Sequence, residues 1–303
     1  MHRVLALFTS LALAACGGEV IAPAAEIAAL REEHATPLSR AGCPGCPGDW
    51  LVEPCSFMET LRMPGSGAQA ATCQTVSPGG DSRGLPDPIG ATAQQRVTEA
   101  IQLAGTSPSD ALRLFALGGD LQRLAEPLLW KLGLEAQARA LDALEAAPPQ
   151  GAWPADLMEM ARNMLPPVRI TDVVLVYKLS QARPLTYDEL RGLREASTMA
   201  LNAVRTEGEE RRSWVAQFSA SVDAPYDLMA AWRQGEQLRE RAMRVAMDGA
   251  LRALVASRGS CPASLDALSP RPFDRIPPGW TLDRETCAPK KQTPSPGQDG
   301  EAG

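Results

Sequence analysis

From Thr92 onward, apolar residues recur at helical spacing in short runs, each closed by glycine or proline, and this texture points to an all-α body. Thr92 with Gln95 makes a capping box, and Val97, Ala100, Ile101 and Ala104 fall on one face behind it. Ser107-Pro108 opens a second helix, with proline at the first helical position. Leu112, Phe115 and Ala116 are expected to face inward, and Gly118-Gly119 is expected to stop the helix. Asp120 is expected to cap the next one, with a kink at Pro127 and a break at Gly133. Leu134, Ala138, Leu141 and Leu144 then line another face before Pro148-Pro149. Connections this short place consecutive helices antiparallel. The expected fold is an array of short antiparallel helical hairpins with one long C-terminal helix, preceded by a loop-rich disulfide segment.

Further along, residues 154–165 form a helix with Leu157, Met160, Ala161 and Met164 on one side, ended by Pro166-Pro167. Residues 173–179 also read as helix; a buried strand is the alternative, but no second strand of that quality exists to pair with it. Thr186 with Glu189 is a second capping box, followed by Leu190, Leu193, Ala200, Leu201 and Val204. Trp214, Phe218 and Val222 mark a further helix. The long helix is expected between Pro225 and Gly259. Met243, Met247, Ala250, Leu251 and Leu254 form its apolar face, and Arg241, Arg244, Asp248 and Arg252 a solvated one.

The other end of the chain follows a different grammar. Met1-His2-Arg3 is a short basic start, and residues 4–13 are apolar for too short a length to span a bilayer. Leu13-Ala14-Ala15-Cys16 follows, with Gly17 behind it. This sequence resembles the lipobox of bacterial lipoprotein precursors. The resemblance implies cleavage before Cys16 and lipidation of that cysteine, with more than one acyl chain and hence stable anchoring. Gly17 in place of Asp implies the outer membrane. The leader is thus residues 1–15. Residues 16–90 are read as a lipid-anchored tether and Cys/Pro/Gly-rich segment, 91–287 as the helical domain and 288–303 as a disordered tail.

Removing Arg3 with the leader takes the formal charge from −6 to −7. With no basic stripe, nucleic acid is not an expected partner. The expected partners are the membrane, through Cys16, and an envelope protein. Six further cysteines remain, an even number in an exported chain, which reads as disulfides. Cys261 and Cys287 are expected to pair. Cys43, Cys46, Cys55 and Cys73 pair among themselves in one of three ways. Thiol exchange or zinc binding at Cys43-Pro44-Gly45-Cys46 is weaker: Pro47-Gly48 is a poor helix start, and an oxidising compartment competes for the thiolates.

Residues 241–280 resemble a module of uncharacterised exported helical bacterial proteins and, more loosely, the post-helix region of type II secretion pseudopilins. The residues that carry the likeness are Gly259, Pro262, Ser264-Leu265, Leu268 and Asp274-Arg275-Ile276-Pro277. The resemblance implies a helix, a proline-set turn and a one-turn helix capped by Ser264. It carries no pilus role, because no pilin helix opens this chain.

The mature chain keeps one histidine, His34, in the segment read as a tether. No Ser–His–Asp, Cys–His or histidine-based metal site is expected from it, and no cofactor or catalysis. The expected function is a non-catalytic binding or scaffolding subunit of the envelope. The alternative is a hydrolase of envelope polymers that uses two carboxylates.

Overall fold

The computed structural model describes residues 20–39, 107–123, 127–148, 152–181, 183–224, 226–269, 272, 273 and 275–292. Cys16, Cys43, Cys46, Cys55 and Cys73, the capping box at Thr92 and the leader lie outside them. The described residues are mostly helical, in eight α-helices. These are α1 (Ala24–Ser39), α2 (Pro108–Arg123), α3 (Pro127–Ala146), α4 (Trp153–Arg162), α5 (Ile170–Leu179), α6 (Tyr187–Arg205), α7 (Gly208–Ser221) and α8 (Leu228–Arg258). Two short strands, β1 (Trp280–Asp283) and β2 (Ala288–Lys291), follow.

The helices α2 and α3 run through the glycines expected to stop them, and packing is the reason. A Cβ at Gly118 would lie 2.5 Å from the Gly133 carbonyl oxygen, and one at Gly133 2.5 Å from the Gly118 carbonyl oxygen. The two glycines let the backbones touch. Beside them Gln122 donates to Gln137 across the seam at 2.8 Å, both side chains buried. Pro127 is the first residue of α3 and not a kink within a helix. Other punctuation acts as the local chemistry dictates. Ser107 Oγ caps the Asp110 amide, Thr186 and Glu189 complete a capping box, and Gly259 closes α8 in the left-handed region at φ 73°. The long helix starts at Leu228, capped by the Asp227 side chain.

Helix α5 is the centre of the body. Ile170, Val173, Val174, Leu175 and Val176 are all fully buried; residues 173–179 are helical, and only Tyr177 and Lys178 reach the surface. The 31-residue α8 packs along α3 and α4, and the Trp153 ring lies against Gly249. The arginine face of α8 is not simply solvated. Arg241 reaches both Asp142 (2.7 Å) and Glu145 (2.8 Å) of α3, and Arg252 donates to the Ala147 carbonyl. Donors at those carbonyls serve the orphan groups at the end of α3.

At the C-terminus a disulfide joins Cys261 to Cys287. Strands β1 and β2 pair antiparallel across the turn that holds Cys287, with Trp280 opposite Lys291. Residues 288–291, expected in a disordered tail, are therefore a strand. Lys291 forms an ion pair with Glu240 of α8, which folds the hairpin back along the helix. The one-turn helix over Leu265–Leu268 is present as a 3-10 turn. Ser264 does not cap it; its hydroxyl donates to the Asp266 carboxylate instead.

Candidate functional site: a buried histidine cluster

Helix α1 lies in the stretch assigned to a tether, yet it packs against α5. Its Ala/Glu/Leu composition favours helix, and Glu26 sits in the first turn, where the dipole favours an acid. Chain entry is fixed by an isolated bridge between Ile21 and Thr186, with Ala22 N–H donating to the Leu185 carbonyl and Tyr187 N–H to the Val20 carbonyl. Ala22, Leu179, Leu185 and Leu190 form a small apolar cluster beneath that bridge.

About three turns further along, on the buried side of α1, is His34, and it is 0% exposed. Its Nδ1 is 2.6 Å from Asp172 Oδ1 on α5, and its Nε2 is 2.8 Å from Ser197 Oγ on α6. Asp172 is 1% and Ser197 5% exposed. Arg169 donates to the second carboxylate oxygen, Asp172 Oδ2, at 2.9 Å. With the proton on Nδ1, the imidazole donates to the carboxylate and accepts from the serine hydroxyl, and the guanidinium offsets the carboxylate charge. Every member of the chain then has a partner, the condition under which burying such groups is tolerated. The sequence reading excluded any Ser–His–Asp grouping; the structure brings one together, because α1 docks on the body and does not hang from it.

The order Asp–His–Ser is that of a nucleophilic triad. Its setting differs from one. Ser197 lies in the middle of α6, where its own amide belongs to the helical ladder. The imidazole itself covers the hydroxyl, so parting α1 from α6 to admit a substrate removes the base from the nucleophile. A groove of about 530 Å³ opens elsewhere, between α4 and α8, lined by Ala152, Pro154, Ala155, Ala250 and Leu254, and none of the three polar groups borders it.

The capping box beside the entry bridge carries its own charge pair. Arg183 binds both Glu189 carboxylate oxygens, at 2.6 and 3.1 Å, and the Thr186 amide donates to Oε2. These contacts, Arg183 first, hold the Glu189 carboxyl down at about 2. Across the body, the Arg241 guanidinium likewise holds Glu145 below the ordinary carboxylate range.

Of the residues singled out by sequence, Cys261 and Cys287 are brought together in the disulfide. The residues missed are Asp172 and Ser197. A signal for Asp172 was available: it is the one acid inside the most apolar of the described helices, next to Val173-Val174-Leu175-Val176. No group of three or more His, Cys, Asp or Glu among the described residues is placed to hold a metal, and no helix among them is long and apolar enough to cross a membrane. Compared with protein-family models, curated proteins and solved structures, the chain matches none of them.

Proposed function

We propose that this chain is a lipid-anchored cell-envelope protein of the outer membrane that binds or scaffolds a protein partner and carries out no chemistry of its own. The observation that carries the reading is the buried His34–Asp172–Ser197 cluster. It ties the helix that follows the anchor cysteine into the centre of the body, so that a pull on the lipid is borne by α5 and α6. Two further features support it. Leu13-Ala14-Ala15-Cys16 has the form of a lipobox, and a disulfide at Cys261–Cys287 suits an oxidising compartment. For such a role we read the body as an array of short antiparallel hairpins backed by the long helix α8.

A Cys16→Ala variant tests the anchor: the protein should leave the membrane fraction or persist as an uncleaved precursor. Fractionation with the outer membrane at mature size would refute the anchor. Crosslinking in intact envelopes, followed by recovery of this protein, tests the scaffold: one reproducible partner should be recovered, and that partner should be lost from a His34→Ala strain.

A second reading is favoured by one observation, the hydrogen-bonded order of Asp172, His34 and Ser197, which is that of a serine hydrolase. A fluorophosphonate probe separates the two. Labelling of Ser197 in the native protein would establish the hydrolase; the scaffold reading expects Ser197 to stay unmodified in the native protein, as it is in the unfolded chain, where no base activates it.

A further inference from the structure

Four large apolar side chains stand well exposed among the described residues: Val20 (61%), Ile21 (62%), Leu128 (57%) and Tyr187 (45%). Three of the four meet at one place. Val20 and Ile21 lead into α1, and Tyr187 opens α6. The backbone bond from Tyr187 N–H to the Val20 carbonyl (2.9 Å) and the Ile21–Thr186 bridge hold them side by side. They stand beside the small cluster of Ala22, Leu179, Leu185 and Leu190, which Ile27, Leu30 and Leu193 cover, and they remain outside it.

The position of this patch in the chain says what covers it. Only Gly17, Gly18 and Glu19 separate Val20 from Cys16. Four residue steps, even fully extended, reach about 14 Å, about twice the ~5–8 Å depth of one leaflet's headgroup layer. If acyl chains on Cys16 lie in the hydrocarbon, Val20 cannot stand far above the surface. The patch is held at the bilayer at high effective concentration by its own anchor. Its chemistry suits that place: two β-branched aliphatic side chains beside a tyrosine, a ring that settles at the headgroup level with its hydroxyl in water. Arg183, Arg191 and Arg194, 59%, 72% and 52% exposed, stand on the adjoining turns. Each is paired with an acid, Glu189, Asp188 and Glu26 respectively.

We propose that Val20, Ile21 and Tyr187 form a membrane-docking edge, by which the end of the body where α1 begins and α6 starts rests on the leaflet that holds the lipid anchor. The anchor then sets an orientation as well as a location. The C-terminal hairpin and the α4–α8 groove become surfaces of the body whose presentation is fixed by that contact. This proposal rests on lipidation of Cys16, and its test is arranged so that the two fail separately.

The test is hydroxyl-radical footprinting read by mass spectrometry. The mature lipidated protein is reconstituted in phosphatidylethanolamine–phosphatidylglycerol vesicles. It is compared with the same chain begun at Gly17, lipid-free in solution, which retains every described residue. Oxidation of Tyr187 and of the peptide holding Val20 and Ile21 should fall by about threefold or more on vesicles, as placing an interfacial ring among headgroups implies. Leu128, similarly exposed but outside the patch, should react equally in both. Equal oxidation of Tyr187 in the two samples overturns the docking edge. So does protection that appears in the lipid-free chain and grows with protein concentration, which would assign the patch to a second copy. The mass of the N-terminal peptide reports acylation of Cys16 independently, so an acylated protein with an unprotected Tyr187 sinks the edge and leaves the anchor standing.

Discussion

Replacing His34 with alanine removes two hydrogen bonds at once and leaves a space where a ring was. Ser197 suffers least, because a serine within a helix can turn its hydroxyl to the carbonyl one turn back. Asp172 suffers most. Arg169 still holds Oδ2, but Oδ1 becomes a buried, unpaired carboxylate oxygen, a loss of about 1–3 kcal/mol. The unfilled space adds about 1–2 kcal/mol more, from lost transfer energy and incomplete collapse. Together these come to about 2–5 kcal/mol. Against a total stability of about 5–15 kcal/mol, that is a large share. Urea unfolding of the mature protein under oxidising conditions should show it as a lower midpoint. For a body of this size the melting temperature should drop by about 4–20 °C. The loss should also be local. Arg31 is exposed on α1, and tryptic cleavage there requires the helix to open. If opening and closing outpace cleavage, a 3 kcal/mol loss accelerates that cut about 100-fold. A His34→Ala protein that loses under about 1 kcal/mol and is cut at Arg31 no faster would refute the claim that this cluster holds α1 in place.

The glycines make a paired prediction. Gly118→Ala should destabilise by about 1–3 kcal/mol, because its Cβ meets a backbone carbonyl at 2.5 Å, whereas Gly192→Ala on α6, with nothing within 4 Å, should stabilise by about 0.5–1 kcal/mol. Equal signs in chemical denaturation would contradict the close approach of α2 and α3. Cys261→Ser should lower stability by about 3 kcal/mol in chemical denaturation under oxidising conditions, since the bridge closes a 26-residue separation, and an unchanged midpoint would contradict that role. Glu189 supplies the pH dependence. Its folded carboxyl titrates at about 2 against an ordinary 4.5, so its contribution is present above about pH 4.5 and fades as pH falls toward 2. The melting temperatures of wild type and Glu189→Gln should therefore converge over that interval, and a gap that persists at pH 2 would exclude the effect.

The parts of this fold that sequence reveals are those written locally. The capping box at Thr186 and Glu189, the cap at Ser107 and the left-handed stop at Gly259 each act within four residues, and each is where the local chemistry places it. What stays hidden depends on a partner far along the chain. Gly118 and Gly133 look like stops until the opposing backbone is known. Asp172 looks like a solvated acid just before the apolar helix read over residues 173–179. His34 looks idle, since its partners lie 138 and 163 residues away. The C-terminal strands, four residues each with a proline in the second, are too short to show an alternating pattern.

The same separations set the order in which the molecule can complete itself. Helix α1 emerges first from the ribosome, but the groups that satisfy His34 follow much later. At ordinary rates of synthesis Ser197 trails His34 by about 8–30 s. For most of that interval α1 has nothing to dock on, because Asp172, Leu179, Leu185 and Leu190 are made only in its last part. Contacts of such long range are also the slowest to close once the chain is complete. Among the described helices the first made is thus the last to gain its stability, and residues 24–39 stay open to proteases until α5 and α6 are in place.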